Sequence, residues 1–353
     1  MFPIDDRKNA LVSLGSFLSQ FGPRGVTLDH PLNANYYDAF ATLLDHQFTK
    51  NGWFTPDNMR HAVGAWGMAL RADAVDQWFD RENVLAETSD RTVSVIMAGN
   101  IPMVGMHDML SVIAAGHKLV AKLSSDDARL LPVIGRLLEE LAPALRGRMT
   151  FTEERLGEVD AVIATGSGNT ARYFEYYFKD MPALIRRNRS SVAILDGEES
   201  DEELAGLAED VFRYFGKGCR SVSKIYVPEG YDLNKLFGAF SPFKYVIDNN
   251  KYANNYDYHK AIFLMNRDDI FENGFVLLKR SEKLSAPVST LFYEEYTDPE
   301  VVREHLSTQK DQLQCIVSRD DSWPLHVKPG FTQNPELWQY ADGVNVMKFL
   351  RAV

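Results

Sequence analysis

The chain has 353 residues, 45% hydrophobic and 25% charged, which is ordinary for a soluble globular protein and long enough for two domains. A net charge of -11 argues against broad nucleic-acid binding, so an anionic ligand has to be met by a local basic cluster. No apolar run is long enough to span a membrane, Met1 to Arg7 lack a signal-peptide core, and two cysteines make no disulfide framework, so a reducing cytoplasm is expected.

Residues 1 to 88 read as a mainly helical, aromatic-rich region carrying Trp53, Trp66 and Trp78. From Thr92 the pattern changes to alternating strand and helix. Thr92 to Ala98 reads as a strand, followed by a Gly/Pro turn and an apolar stretch from Met103 to Ala115. Lys118 to Leu123 is a second strand and Ala128 to Leu145 a helix with apolar residues at helical spacing. Asp160 to Thr165 is a third strand, a helix opens near Asn169, and Ser191 to Leu195 closes the series. Strands spaced by helical crossovers imply a parallel sheet with right-handed connections. An acidic amphipathic helix is expected from Asp201 to Phe215, ended by Gly216. Strands follow at Val222 to Val227, Ala261 to Met265, Phe275 to Leu278, Val288 to Phe292 and Gln314 to Val317. The tail, Asp342 to Val353, reads as a docking strand or short helix. The expected organisation is a helical region over 1–88, a Rossmann-like domain over 89–195, a second α/β domain over 196–325 and a returning segment over 326–353.

Three turns carry chemistry. Gly216-Lys217-Gly218-Cys219-Arg220-Ser221 places a cysteine on a glycine-flanked loop between helix and strand, with a cation on either side. Such cations favour thiolate over thiol, which suits a nucleophile; the alternative is a small buried hydrophobe. Thr165-Gly166-Ser167-Gly168-Asn169-Thr170-Ala171 satisfies G-x-G-x-x-A, follows a strand and opens a helix, as a dinucleotide site requires. It also fits an ordinary tight turn. About twenty residues on, where a site for NAD would place an acid, stands Arg186-Arg187-Asn188-Arg189, which suits a 2′-phosphate or a solvated surface run. Asn100, between Gly99 and Pro102 at a strand's end, can offer its amide to an oxyanion or serve as a turn residue. No metal-ligating set is predicted.

Taken in order, these turns resemble the aldehyde dehydrogenase superfamily and, within it, the LuxC-type acyl-CoA reductases. Gly99-Asn100-Ile101-Pro102 is similar to the turn whose asparagine helps hold the oxyanion, and Lys118 to Lys122 to the strand whose last lysine contacts the cofactor ribose. Thr165-Gly166-Ser167, with Gly168, resembles the cofactor turn, and Gly216 to Cys219 the nucleophile loop. Pro287-Val288 and Leu313 to Val317 resemble later strands, which makes Cys315 structural; Lys251 to Tyr258 and Asp342-Gly343 also look LuxC-like. The resemblance covers roughly residues 90 to 350. It implies an α/β aldehyde dehydrogenase-like fold, with a Rossmann-like cofactor domain and a second α/β catalytic domain carrying Cys219.

Two departures from the superfamily are informative. Hydrolytic members carry a glutamate that activates water; its place falls near Ile185 to Arg187, where there is no acid. The implied acyl partner is therefore a thiol, coenzyme A or an acyl carrier, instead of water. Ser124 and Ser125 follow Lys122 where NAD-preferring relatives often place a glutamate, which implies NADPH in preference to NADH. Glu282, one position out of register, stands near the place of the glutamate that holds the nicotinamide ribose. The implied activity is NADPH-dependent reduction of a fatty acyl-CoA to the aldehyde through an acyl-cysteine. Competing readings are an aldehyde-oxidising dehydrogenase, a non-redox cysteine thioesterase or acyltransferase, and a non-catalytic binding subunit. His107, His117 and His259 are possible proton carriers that read as structural, and Tyr252 to Tyr258 is a candidate surface for the acyl chain. The superfamily resemblance implies a homo-oligomer.

Overall fold

A computed structural model describes residues 2–85, 89–166 and 168–353. The chain folds as two units, Met1–Asn188 with Pro335–Val353, and Arg189–Asn334.

The first unit begins with four helices: α1 (Ile4–Ser19), α2 (Asn33–Asp45), α3 (Pro56–Ala69) and α4 (Ala72–Arg81). Thr55 caps α3 by accepting from the Asn58 N–H, and Pro56 at the first helical position gives up no hydrogen bond. Glycines let α1 and α3 approach backbone to backbone: a Cβ on Gly67 would lie 2.7 Å from the Ser19 backbone. The fully buried Arg7 donates to the carbonyls of Phe2, Leu85 and Ala114, tying α1 to the layer that follows.

That layer is a parallel sheet. In chain order it holds β1 (Thr92–Ile96), α5 (Met106–Ala114), β2 (Lys118–Lys122), α6 (Leu130–Leu141), β3 (Met149–Thr152), β4 (Ala161–Thr165), α7 (Gly168–Tyr177) and β5 (Ala183–Arg186). The strand order is β3-β2-β1-β4-β5, every pairing parallel. The central strand β1 is buried along Val93, Ser94 and Val95, as expected for a strand covered on both faces. The order reverses between β1 and β4, so the turns that leave their carboxyl ends flank a topological switch point. These are the turns holding Asn100 and Gly166. The tail docks on this unit as a helix, Val346–Ala352, capped by Asn345, with His117 bonding the Leu350 carbonyl and Trp78 donating to the Tyr340 hydroxyl.

The second unit contains β6 (Ser190–Ile194), α8 (Asp201–Phe212), β7 (Val222–Pro228), α9 (Asn234–Phe240), α10 (Asn250–Met265), β8 (Ile270–Glu272), β9 (Leu277–Arg280), β10 (Thr290–Tyr296), α11 (Pro299–Thr308), β11 (Leu313–Val317) and β12 (His326–Val327). Its sheet runs β12-β11-β6-β7-β10-β9-β8, parallel except for the antiparallel edge strand β8. Two sequence expectations are corrected here. Ala261 to Met265, expected as a strand, forms the last turns of α10. Asn249 caps this helix by accepting from the N–H groups of Lys251 and Tyr252, and Tyr252, Tyr256 and Phe263 face its core. A five-residue apolar run carries no period of its own and follows the helix nucleated ahead of it. Ser191 to Leu195, expected to close the first series, instead pairs with β7 and β11 at the centre of the second sheet. Local pattern marks it as a strand; only long-range pairing assigns its sheet.

Replacing Gly67 with alanine forces a methyl into the Ser19 backbone, so a loss of about 1–3 kcal/mol is expected from overpacking. Urea unfolding of the Gly67→Ala variant measures it, and an unchanged midpoint would contradict the close helix approach.

Candidate active site

In the second unit, α8 starts with a capping box: Ser200 Oγ accepts from the Glu203 N–H, and Glu203 Oε2 from the Ser200 N–H. Its end is unusual. Tyr214, Phe215 and Gly216 all adopt left-handed backbone, with φ of 54°, 59° and 70°. Glycine takes this conformation freely, but a bulky residue there costs about 1–3 kcal/mol and persists only when its surroundings enforce it. Both aromatic rings are buried, Phe215 against Tyr252 at 5.8 Å, and Phe212 one turn earlier meets Phe240 at 5.1 Å. The forced turn delivers the chain to Lys217-Gly218-Cys219. A tight turn, Ser221 N–H to the Gly218 carbonyl at 3.0 Å, then leads into β7.

Cys219 is exposed at this turn, whereas Cys315 is buried inside β11 with its thiol pushed up by desolvation. The Cys219 carbonyl accepts from Ser191 Oγ of β6 at 2.9 Å. Glu282 belongs to a segment held against the start of β7. Ser223 Oγ donates to the Leu284 carbonyl at 2.8 Å, and the buried Lys224 ammonium to the Glu282 carbonyl at 3.1 Å and Glu294 Oε2 at 2.6 Å. Desolvation lowers the Lys224 pKa and the bond to Glu294 opposes this. The Glu282 side chain itself is exposed. The sequence reading passed over Lys224, although a lysine inside the apolar run Val222 to Val227 is the kind of misfit that marks a buried ion pair.

In the first unit, the turn after β1 packs on the turn after β2. A Cβ on Gly99 would lie 2.5 Å from Ser124 Oγ, so only glycine allows the two loops to touch. Asn100 follows, exposed. Met103 sits at φ 58°, and its N–H donates to Asp127 Oδ2 at 2.7 Å. Burial pushes the Asp127 carboxyl up to about 6, with the Met103 bond pulling the other way. Asp127 thus pins the strained turn that carries Asn100, and it too escaped the sequence reading, three residues past Ser124. Lys122, at the end of β2, donates to the carbonyls of Glu153 and Glu154, both at 3.0 Å. These occupy two of its three donors. Ser124 accepts from the Asp126 N–H, and Ser125 is exposed.

Thr165 ends β4, the Gly166 N–H donates to the Arg186 carbonyl at 3.2 Å, and Gly168 opens α7. A Cβ on Gly166 would press on the Thr170 side chain at 3.0 Å, so the turn is closed down to glycine size. Ser167 lies outside the described residues. The arginine run does not gather into a phosphate grip. Arg186 is buried and paired with Asp108 at 2.6 Å, Arg187 pairs with Glu175, and Arg189 donates to the Leu313 carbonyl in the second unit. Strand β5 points Arg186 inward, which a run of basic letters does not reveal.

His107 bonds the Leu337 carbonyl and His117 the Leu350 carbonyl; burial lowers the pKa of His117 and of His259. Tyr252 and Tyr256 are turned into the core of the second unit, Tyr256 on Glu272, and only Tyr258 of the three is exposed. No helix among the described residues is long and apolar enough to cross a membrane, and no group of metal-ligating side chains occurs among them.

Comparison with known proteins agrees with the resemblance read from the sequence. A family model described as acyl-CoA reductase (LuxC) matches residues 68–236, a segment that contains the Asn100, Lys122, Gly166 and Cys219 turns. The long-chain acyl-protein thioester reductase of Aliivibrio fischeri is 22% identical over 216 residues, 56% of this chain and 45% of that protein. This chain therefore matches less than half the length of that curated relative. Among solved structures, aldehyde dehydrogenase 21 of Physcomitrella patens in complex with succinate aligns with a TM-score of 0.63 at 12% identity, covering 98% of this chain and 80% of that one. The NAD+ complex of an aldehyde dehydrogenase from Bacillus cereus aligns at 0.59 and 13% identity, covering 90% and 72%. The fold is that of the aldehyde dehydrogenases.

Arg186→Ala leaves the buried Asp108 carboxylate without its guanidinium, and a loss of about 3–5 kcal/mol in urea unfolding is expected. The exposed Arg187→Ala should change stability by under about 1 kcal/mol. Asp127 has a separate signature in pH. Its native pKa near 6 lies above the ordinary 3.8, so the native state holds the proton more tightly than the unfolded chain. Ionisation between those values therefore costs native stability. The stability of Asp127→Asn relative to the wild type should rise as pH increases from 4 to 6, and a flat difference would contradict the burial.

Proposed function

We propose that this chain reduces a fatty acyl thioester to the aldehyde, with NADPH as hydride donor and Cys219 as the carrier of the acyl group. The observation that carries this reading is the exposed Cys219, delivered between Lys217 and Arg220 by an enforced left-handed turn, inside the segment that matches the LuxC family. Strain of this kind persists where geometry serves a task.

The cations beside Cys219 favour its thiolate. The thiolate attacks the thioester carbonyl carbon, the Asn100 amide takes the oxyanion role that the resemblance assigns to it, and the donor thiolate leaves as the carbonyl reforms. A thiolate departs without a strong general acid, in keeping with His107 and His117 committed to backbone carbonyls. The acyl group then rests on Cys219 as a thioester. Water is a poor second acceptor because no carboxylate stands at Ile185 to Arg187, and Arg186 is paired with Asp108. This favours aldehyde formation over oxidation of an aldehyde to the acid.

The first unit fits a nicotinamide dinucleotide: the Gly166 turn is closed to glycine size, and α7 opens directly behind it at the β1/β4 switch point. Lys122, Ser124, Ser125, Thr165, Gly166, Ser167 and Gly168 would hold it, with Glu282 toward the nicotinamide ribose. NADPH supplies the hydride that takes the thioester to the oxidation level of the aldehyde. Ser125, where an acid would repel a 2′-phosphate, supports NADPH over NADH, and Lys122 supplies positive charge. The acyl donor is acyl-CoA or an acyl carrier thioester; the relative's action on long-chain acyl-protein thioesters supports a long chain. The proposal includes a cytoplasmic setting, which keeps Cys219 reduced, and a homo-oligomeric assembly.

Intact mass after incubation with acyl-CoA alone should show one acyl adduct on the wild type and none on Cys219→Ala. NADPH oxidation at 340 nm should fall by about 10³-fold or more in that variant. An equal adduct on Cys219→Ala would place the nucleophile elsewhere. Thioester cleavage without NADPH binding would establish the non-redox reading instead.

A further inference from the structure

We propose that Asp210 is a positioning residue for Cys219, acting through a strap formed by Gly330 to Gln333. The proposal rests on the reading of Cys219 as the nucleophile. Asp210 lies near the end of α8 and is fully buried, whereas Glu203 and Glu209 of the same helix are only half-buried. Three donors converge on its carboxylate. Oδ2 accepts from the Gly330 N–H at 2.7 Å, and Oδ1 from the Thr332 N–H at 3.0 Å and the Thr332 hydroxyl at 2.7 Å.

The far side of the strap ends on the cysteine loop. The carbonyl of the fully buried Thr332 accepts from Arg220 Nε at 2.7 Å, and Gln333 Nε2 donates to Ser221 Oγ at 3.3 Å. Both residues that follow Cys219 are therefore held by the strap, while Ser191 holds the Cys219 carbonyl from β6. The strap is pressed onto α8 with no room to shift. A Cβ on Gly206 would lie 2.8 Å from the Pro329 carbonyl, and Gly330 turns away at φ 89°.

Arg220 follows Cys219 directly in the chain, and its guanidinium is anchored through Nε by the carbonyl of Thr332, the residue that Asp210 fixes. Loss of the Asp210 contacts frees Thr332, then Arg220, and the loop loses the orientation of its charge. Burial pushes the Asp210 carboxyl up to about 6 even against its three hydrogen bonds. A buried acid held under that penalty is consistent with a task beyond solubility.

The test uses Asp210→Asn, which keeps the shape but turns an amide donor toward the N–H groups of the strap, and Thr332→Val, which removes one contact of the three. The first readout is the rate of Cys219 alkylation by iodoacetamide across pH, assigned by peptide mass, on protein shown to be folded by a cooperative melt. Asp210→Asn should lower this rate at pH 7 about tenfold and kcat for acyl-CoA reduction about ten- to a hundredfold, with KM for acyl-CoA within about twofold. Thr332→Val should fall between, and Thr332→Ser should restore the wild-type rates. A folded Asp210→Asn variant with wild-type alkylation and kcat overturns the proposal. If that variant does not fold, the same comparison between Thr332→Val and Thr332→Ser decides it. Absence of an acyl adduct on wild-type Cys219 would instead defeat the functional reading, and alkylation would still report whether Asp210 sets the loop.

Discussion

The helix α8 must stop at one residue and turn back sharply, because the next segment has to enter the central strand β7. A glycine alone would permit the left-handed turn without enforcing it. Here two aromatic residues share that conformation with Gly216, and the burial of their rings against the second unit's core holds them there. Burial of a large aromatic contributes about 1.5–3 kcal/mol, similar in size to the strain it offsets. The position of Cys219 is thus set by packing several residues upstream together with the bonds that hold the loop to β6 and to the strap. That leaves the thiol exposed while the backbone around it is fixed.

The two sheets use opposite ends. In the first unit, the turns of interest leave the carboxyl ends of β1, β2 and β4, as the general rule for open parallel sheets anticipates. In the second, Cys219 precedes β7 and lies at its amino end, where no such rule directs attention. Residue chemistry, a thiol preceded by two glycines and set between two cations in the chain, was the signal there. The loops also differ in how they are held. Backbone strain at Met103 is pinned by one buried carboxylate, whereas the cysteine loop is tied to β6 and to a returning strap.

Much of this was legible in the sequence, and the limits have physical reasons. The strands around β1, β2 and β4, the Gly166 turn and the Cys219 loop each announce themselves through local period, glycine placement and charge. The helical fate of Ala261 to Met265 does not, because five apolar residues fit either period and the cap that decides them lies twelve residues earlier. The membership of β6 in the second sheet depends on pairing with strands about thirty and 120 residues away. Burial of charge was the least legible feature. Arg186, Asp127 and Asp210 all look like surface residues in one dimension, and each is taken inside by a partner far along the chain or by a loop turning back on itself.

The Arg186–Asp108 pair bears on how this chemistry can change over evolutionary time. A glutamate in place of Arg186 would not simply add a base. Its shorter side chain would leave Asp108 without a cation and put a second carboxyl into the same buried layer, where ionising both at neutral pH is costly. The new acid would compete with Asp108 for a proton instead of standing as a free base, while the core lost its compensating cation at that point among the described pairs. On the proposed function, a route from aldehyde-forming to acid-forming chemistry through that position would need two coordinated substitutions, with a destabilised intermediate between them. On that same function, the buried ion pair would act as a ratchet on the outcome of the reaction, although it lies in a layer whose visible task is to hold β5 against α5.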